Sequence, residues 1–199
     1  MLWANFFLIR IRSANVTTKK HGKIVPLQGD VTSRESLLSM VATVESQTGY
    51  INLLVNNSGV FGPEAKYPTS TDNIQDLQKC LWESNPEAFQ QTFEVNNTAI
   101  YFTTVAFLDL LDKGNKHGGI PGVSSQVITT ASVAGFRREE RPLGVAYTLS
   151  KTAAIHLGKI LANILIEYNI RSNVICPGIY PSGKSFIISS RTRLLNFGL

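Results

Sequence analysis

Short apolar runs alternate along this sequence with longer stretches whose apolar residues recur at helical spacing, and that alternation leaves few folds open. Ile24 to Gln28 runs into Gly29-Asp30, and Ile51 to Val55, apolar except for Asn52, stops at Asn56-Asn57-Ser58-Gly59. Gln126 to Ala131 and Arg171 to Cys176 repeat the pattern, the last closed by Pro177-Gly178. The runs at 51–55 and 126–131 read as strands covered on both faces. Between them lie helices. Leu37, Val41 and Val44 follow a Thr32…Glu35 capping box, and Gly49 ends that element. Phe89, Phe93, Ile100 and Phe107 mark one stripe of a long helix from the Asn85-Pro86 cap to about Leu111. Ala153, Leu157, Leu161, Ile164 and Leu165 mark another that starts near Val145. A short helix is expected near Ile74 to Leu81, within a polar connection over 60–84. Strands that alternate with helices, with no hairpin signal, predict an α/β fold with a doubly wound, mostly parallel sheet.

The charge distribution narrows the function classes. The 199 residues suit one domain, 1–199, and carry a formal +5. Residues 1–29 hold five basic side chains and no acid, and residues 183–199 hold three and no acid. The stretch 30–182 holds 11 basic and 14 acidic side chains, so the basic character belongs to the ends. Those ends lack the interleaved aromatic and basic residues of a nucleic-acid groove, and no nucleic-acid partner is expected. The apolar start, Leu2 to Ile11, is broken by Arg10 and is too short to span a bilayer, and no other run reaches the required length. No membrane partner is expected either. An acid-free basic start resembles a mitochondrial presequence only weakly, since Arg10 and Arg12 follow the apolar run. Two cysteines, Cys80 and Cys176, permit at most one bridge, which favours a reducing, cytoplasmic setting. His21, His117 and His156 have no metal-ligand spacing, so no metal site is expected.

The residues with chemistry to offer sit at strand ends and on one helix face. Tyr147 and Lys151, four apart near a helix start, share a face. A lysine ammonium one turn away favours the phenolate and is expected to lower the tyrosine pKa. Such a pair donates a proton to a carbonyl oxygen or takes one from an alcohol. Ser132 follows a strand, 15 residues before Tyr147. In a doubly wound sheet the ends of strands form the ligand crevice. Gly29-Asp30, Asn56 to Gly59, Ser132 and Pro177-Gly178 would then meet on one rim. Asn56-Asn57-Ser58, Asn96-Asn97-Thr98 and Asn15-Val16-Thr17 also read as glycosylation acceptors, which a place on that rim disfavours for the first two.

Taken together, these strings resemble the classical short-chain dehydrogenase/reductase family over about residues 22–182. The resemblance rests on Asp30-Val31, Asn56-Asn57-Ser58-Gly59, Val95-Asn96, Ser132-Val133-Ala134-Gly135, Tyr147-x-x-x-Lys151 and Ile170-Arg171-Ser172-Asn173…Pro177-Gly178. It implies a Rossmann-like, three-layer αβα sheet and hydride transfer between NAD or NADP and a small carbonyl compound or secondary alcohol. By that resemblance Tyr147 is the general acid/base, Lys151 binds the nicotinamide ribose, and Ser132 holds the substrate oxygen. Asn96 kinks its helix and holds a water that links Lys151 to solvent. Asp30 receives the adenine amino group with Val31 beside it, and the Asn56 to Gly59 turn, with Asn57, Ser58 and Gly59, packs beneath the adenine ribose. Pro177, Gly178 and Ser182 border the nicotinamide. Helices 86–111 and 147–168 correspond to the family's usual dimer surface, so a homodimer is expected through them.

The chain also departs from the family. The Ser132-to-Tyr147 spacing is two longer than usual, which places an insertion in the charged loop 137–141. No GxxxGxG-like phosphate turn occurs anywhere in the sequence. The match starts just before the family's third strand and lacks the usual segment after Ser182, so the sheet is expected to be incomplete at both ends. In the family order 3-2-1-4-5-6-7, two missing strands would separate Ile24–Gln28 from Ile51–Val55, leaving the latter edge bare for Leu2 to Arg12 to pair with. The strand-2 residue that separates NAD from NADP is absent, and cofactor preference is unreadable. A catalytically inactive product that at most associates with related subunits is the alternative expectation.

Overall fold

The computed structural model describes residues 5–11, 23–63, 67–68, 73–117, 122–138 and 143–178. In chain order these form β1 (Asn5–Ile11), β2 (Lys23–Gly29), α1 (Arg34–Thr48), β3 (Leu53–Asn56), α2 (Ile74–Trp82) and α3 (Pro86–Phe93). A π-turn (Glu94–Thr98) leads into α4 (Ala99–Ala106) and α5 (Leu108–Lys116). Then come β4 (Gln126–Thr130), a 3-10 turn (Val133–Phe136), α6 (Val145–Leu165), a second 3-10 turn (Ile166–Tyr168) and β5 (Arg171–Ile175). β3, β4 and β5 form a parallel sheet in that order, with Leu53 opposite Gln126 and Gln126 opposite Arg171. This is the expected α/β arrangement, with helical crossovers between parallel strands.

Two expectations about the strands are corrected. β1 does not pair with the 51–55 edge. It lies antiparallel to β2 over seven residues, from Asn5 opposite Gly29 to Ile11 opposite Lys23, in a separate two-stranded sheet. A nearby strand closes a small loop at less entropic cost than a distant one, and the absence of a hairpin signal in the sequence misses this pair. β3 is not covered on both faces either. Leu54 and Asn56 are buried, whereas Leu53 is 49% and Val55 43% exposed, and on β5 Ile175 is 50% exposed. Among the described residues, helices pack only the other face. There Leu54 and Val127 of the sheet meet Leu37, Met40 and Val44 of α1, Leu110 and Leu111 of α5, and Leu161 and Leu165 of α6. β2 and β3 share no ladder.

Helix boundaries follow local chemistry. The cap of α1 is Ser33 rather than Thr32: its hydroxyl accepts from Ser36 N–H at 3.2 Å and donates to Glu35 at 3.0 Å. Thr32 is instead held in an Asx-type turn by Asp30 Oδ1, which accepts from its N–H and hydroxyl. Asn85 caps α3 as expected, with Pro86 behind it. The long helix expected over 86–111 is interrupted twice, by the π-turn and at Phe107, and continues to Lys116. On α6 the buried stripe runs through Ala154, Gly158, Leu161 and Leu165, while Ile164, expected on that face, is 52% exposed. With its 3-10 extension, Val145–Tyr168 is, by length and composition alone, apolar enough to cross a membrane, which corrects the reading that no run is long enough. Its buried stripe packs against the sheet, as the core helix of an α/β domain does.

Candidate active site

The site gathers where β4 ends. Ser132 leaves the strand extended and caps the 3-10 turn by accepting from Ala134 N–H at 3.1 Å. Val133 N–H donates to the Pro177 carbonyl at 3.0 Å, which ties the end of β5 to the Ser132 loop. Gly135 lets this turn rest on α6, because a Cβ there would sit 2.9 Å from the Lys151 carbonyl carbon and oxygen. The turn therefore faces the first turns of α6. The Tyr147 phenol comes near the Ser132 side chain there, close enough for Ser132 to favour its ionised form.

Lys151 is only 4% exposed, and its ammonium donates to the Thr130 carbonyl at 3.0 Å. Its Nζ lies 5.7 Å from the centre of the Tyr147 ring, beneath the ring rather than at the hydroxyl. Burial accordingly dominates the tyrosine. It pushes the phenol pKa above its ordinary value of 10.0, and the nearby Ser132 side chain opposes this less strongly. The expectation that Lys151 holds this pKa down is not met in this geometry. Phe61 also packs against the phenol, with ring centres 5.0 Å apart and the rings tilted by 45°.

Asn96 is fully buried in the π-turn. Its Oδ1 accepts from Val60 N–H at 2.9 Å, and its Nδ2 donates to the Val60 carbonyl at 2.9 Å and to Ser150 Oγ at 2.8 Å. A π-turn admits one extra residue per turn and turns a side chain out of the ordinary helical row. The Gly59-Val60 loop thus stands directly over the π-turn. A Cβ on Gly59 would lie 3.1 Å from Asn96 Oδ1 and 3.4 Å from Lys151 Nζ, so glycine keeps this corner open.

Beside it, Val31, Asn57, Ser58, Val95, Ala99 and Thr103 line a small cleft of about 20 Å³. Asn56, at the base, is 5% exposed and donates to Thr104 Oγ1 at 2.9 Å. Asp30 lies on the chain next to Val31, with its Oδ1 engaged by Thr32. Gly178 stands in open space, and Ser182 lies outside the described residues, as do Asn15 and most of the 137–141 loop. The burial of Asn56 and Asn96 is incompatible with glycan attachment at either. Cys176 packs beside the cluster of Ile100, Ala131, Ala154 and Ile155, as a core thiol does. Among the described residues no group of His, Cys, Asp and Glu is arranged to hold a metal ion.

The structure thus brings Ser132, Tyr147, Lys151 and Asn96 together, with Gly59 among them and Val31, Asn57 and Ser58 in the adjoining cleft. Comparison with known proteins agrees with that arrangement: the short chain dehydrogenase profile matches residues 10–185. The chain belongs to the short-chain dehydrogenase family. It is 46% identical over 164 residues to the short-chain dehydrogenase/reductase PhomF of Diaporthe leptostromiformis, covering 82% of this chain and 55% of that protein. It is 40% identical over 181 residues to the short-chain dehydrogenase/reductase SAT3 of Stachybotrys chartarum, covering 84% of this chain and 66% of that one. The crystal structure of NAD+-bound xylitol dehydrogenase superposes with a TM-score of 0.64 at 28% identity, over 80% of this chain and 52% of that one. The chain therefore spans between half and two thirds of the length of these family members.

Sequence reasoning did not single out Ser150, Val60, Phe61 or the Thr130 carbonyl. Only Ser150 leaves a signal: it is polar, yet sits four residues from Ala146 and four from Ala154 on the buried side of α6. Val60 and Phe61 belong to a loop, where no period marks a residue.

Proposed function

We propose that this protein is a nicotinamide-dependent oxidoreductase that interconverts a small carbonyl compound and a secondary alcohol. The observation that carries the reading is the Ser132–Tyr147 hydroxyl pair at the end of a parallel strand, with a buried lysine beneath the phenol. Two adjacent hydroxyls hold one substrate oxygen from two sides. In reduction, Ser132 donates a hydrogen bond to the carbonyl oxygen and Tyr147 delivers its proton to that oxygen as the carbon is reduced. The buried Lys151 ammonium offsets the negative charge then left on the tyrosine oxygen. A reduced nicotinamide, when bound, would supply the hydride to the carbonyl carbon, the two electrons of the reduction coming with it. Tyr147, like any phenol with a pKa of 10 or above, is protonated at neutral pH and so holds the proton that a reduction consumes.

By the family resemblance an adenosine would lie at Val31, Asn57 and Ser58, where the cleft of about 20 Å³ must widen to admit it. The open corner at Gly59 would take a ribose beside Lys151, and Pro177 and Gly178 would border the nicotinamide. For the pyrophosphate the sequence offers no glycine-rich turn, which favours a second reading: a catalytically inactive product. Titration with NADH and with NADPH, followed by nicotinamide fluorescence, separates the two. Binding tighter than about 100 μM by either dinucleotide is expected for an oxidoreductase. No binding by either dinucleotide supports the inactive product.

We also propose a homodimer through helices 86–111 and 147–168. Tyr101 and Val105 of α4, and Leu149, Ile160 and Ile164 of α6, are each at least 41% exposed, an apolar surface that a second copy would cover. Sedimentation should give twice the chain mass, and Ile164→Lys should halve it. A wild-type monomer at tens of micromolar would remove the proposal.

A further inference from the structure

The serine inside Tyr147-x-x-Ser150-Lys151 is fully buried, and both directions of its hydroxyl are used. Ser150 Oγ donates to the Tyr147 carbonyl at 2.8 Å and accepts from Asn96 Nδ2 at 2.8 Å. A hydroxyl has one proton to give, so donation to Tyr147 turns its lone pairs toward Asn96 and fixes which end of that amide faces α6. One residue along, Asn97 Nδ2 donates to the Ser150 carbonyl at 2.9 Å. The π-turn therefore grips α6 at both the side chain and the backbone of Ser150.

That grip joins α6 to the π-turn, while Thr152 Oγ1 and Lys151 Nζ tie the same turns to the Gly135 and Thr130 carbonyls at 2.9 and 3.0 Å. Gly144, the residue before α6, has a positive φ of 83° and gives the helix no side-chain cap. Thr148 Oγ1 returns to the Gly144 carbonyl at 3.0 Å, a bond within the helix start itself. Yet the Tyr147 hydroxyl must reach Ser132, which sits on a different element. We propose that Ser150 is a positioning residue, whose hydroxyl bolts the first turn of α6 to the π-turn at Asn96 and so holds the Tyr147 hydroxyl in register with Ser132. The inference rests on the reading of Tyr147 as the proton donor, where a displacement of about 1 Å costs on the order of 100-fold in rate.

The test needs neither cofactor nor substrate. The Tyr147 phenol is titrated by ultraviolet difference, each protein against its Tyr147→Phe counterpart. In the wild-type background, Ser132→Ala removes a hydrogen bond to the phenolate and should raise the midpoint by about one pH unit. In the Ser150→Ala background the same change should raise it by less than half as much, because the two hydroxyls no longer meet. A residue that merely fills space would lower the melting temperature and leave the coupling intact, so an undiminished rise overturns the proposal. If Ser150→Ala does not fold, Ser150→Cys carries the same measurement with the same expected loss, since a thiol of similar size donates and accepts weakly. Failure to bind either dinucleotide would remove the oxidoreductase reading and leave this result standing. An undiminished rise would do the reverse.

Discussion

Replacing Tyr147 with phenylalanine is expected to lower carbonyl reduction by about 10³-fold and to leave the fold in place. A positioned general acid contributes roughly 10²–10⁴ in rate, and no other described side chain at the Ser132 end of the site can give up a proton as readily. The ring itself stays: the packing against Phe61 and the contact above Lys151 do not need the hydroxyl. Loss of the hydroxyl's interaction with Ser132 costs about 1 kcal/mol, within the tolerance of a folded domain. Turnover within tenfold of wild type would overturn the mechanism. The same pair of proteins tests the burial of the phenol through pH. Its folded pKa is raised above the unfolded value of about 10, so the neutral form is the one that the fold favours. That stabilisation is fully present below about pH 10 and is lost as pH rises through the folded pKa. Urea unfolding should show wild type losing stability above pH 10 faster than Tyr147→Phe, and equal losses would mean the phenol is not desolvated.

Much of this site was legible in the sequence because its parts lie at strand ends, which period and punctuation locate well. Asn56 to Gly59, Ser132 and Pro177-Gly178 are each a change of residue type at the end of an apolar run, and the parallel strands β3, β4 and β5 bring those ends to one rim. Gly29-Asp30, by contrast, ends a strand of the separate two-stranded sheet. Helical spacing places Tyr147 and Lys151 on one face, and it took Ser132, the strand ends and the family resemblance to give that face a role. What periodicity does not carry is the environment in space. The covering of β3 on one face depends on which helices pack there, and an apolar Leu53 reads the same whether buried or half exposed. The direction of the Tyr147 pKa turns on the balance between burial and Lys151, and the sequence shows the lysine but not the depth. The π-turn at Asn96 is set by partners 36 and 54 residues away, Val60 and Ser150, beyond the reach of any local pattern.

Asn96→Ala carries the largest expected loss of stability among the site residues, because one amide satisfies three groups at once. The Val60 N–H and carbonyl and the Ser150 hydroxyl all use it, and Asn96 itself has no exposure to water. Alanine leaves those partners part-buried and unsatisfied, at about 1–3 kcal/mol for each group that water does not reach. A total near 3 kcal/mol is expected, a large share of the roughly 5–15 kcal/mol that holds a domain together. Urea unfolding measures it, and amide exchange at Val60 should rise in step. Asn96→Asp should do no better. It keeps an acceptor for the Val60 N–H, gives up both donations, and places a carboxylate where no water solvates it. A loss under about 1 kcal/mol with unchanged exchange at Val60 would show that the network is not what holds the loop. The consequence for the site follows from position: Gly59 and Phe61 flank Val60, so releasing Val60 also releases the open corner beside Lys151 and the aromatic wall of Tyr147. Stability and site geometry should therefore fail together at Asn96, whereas at Tyr147 they separate.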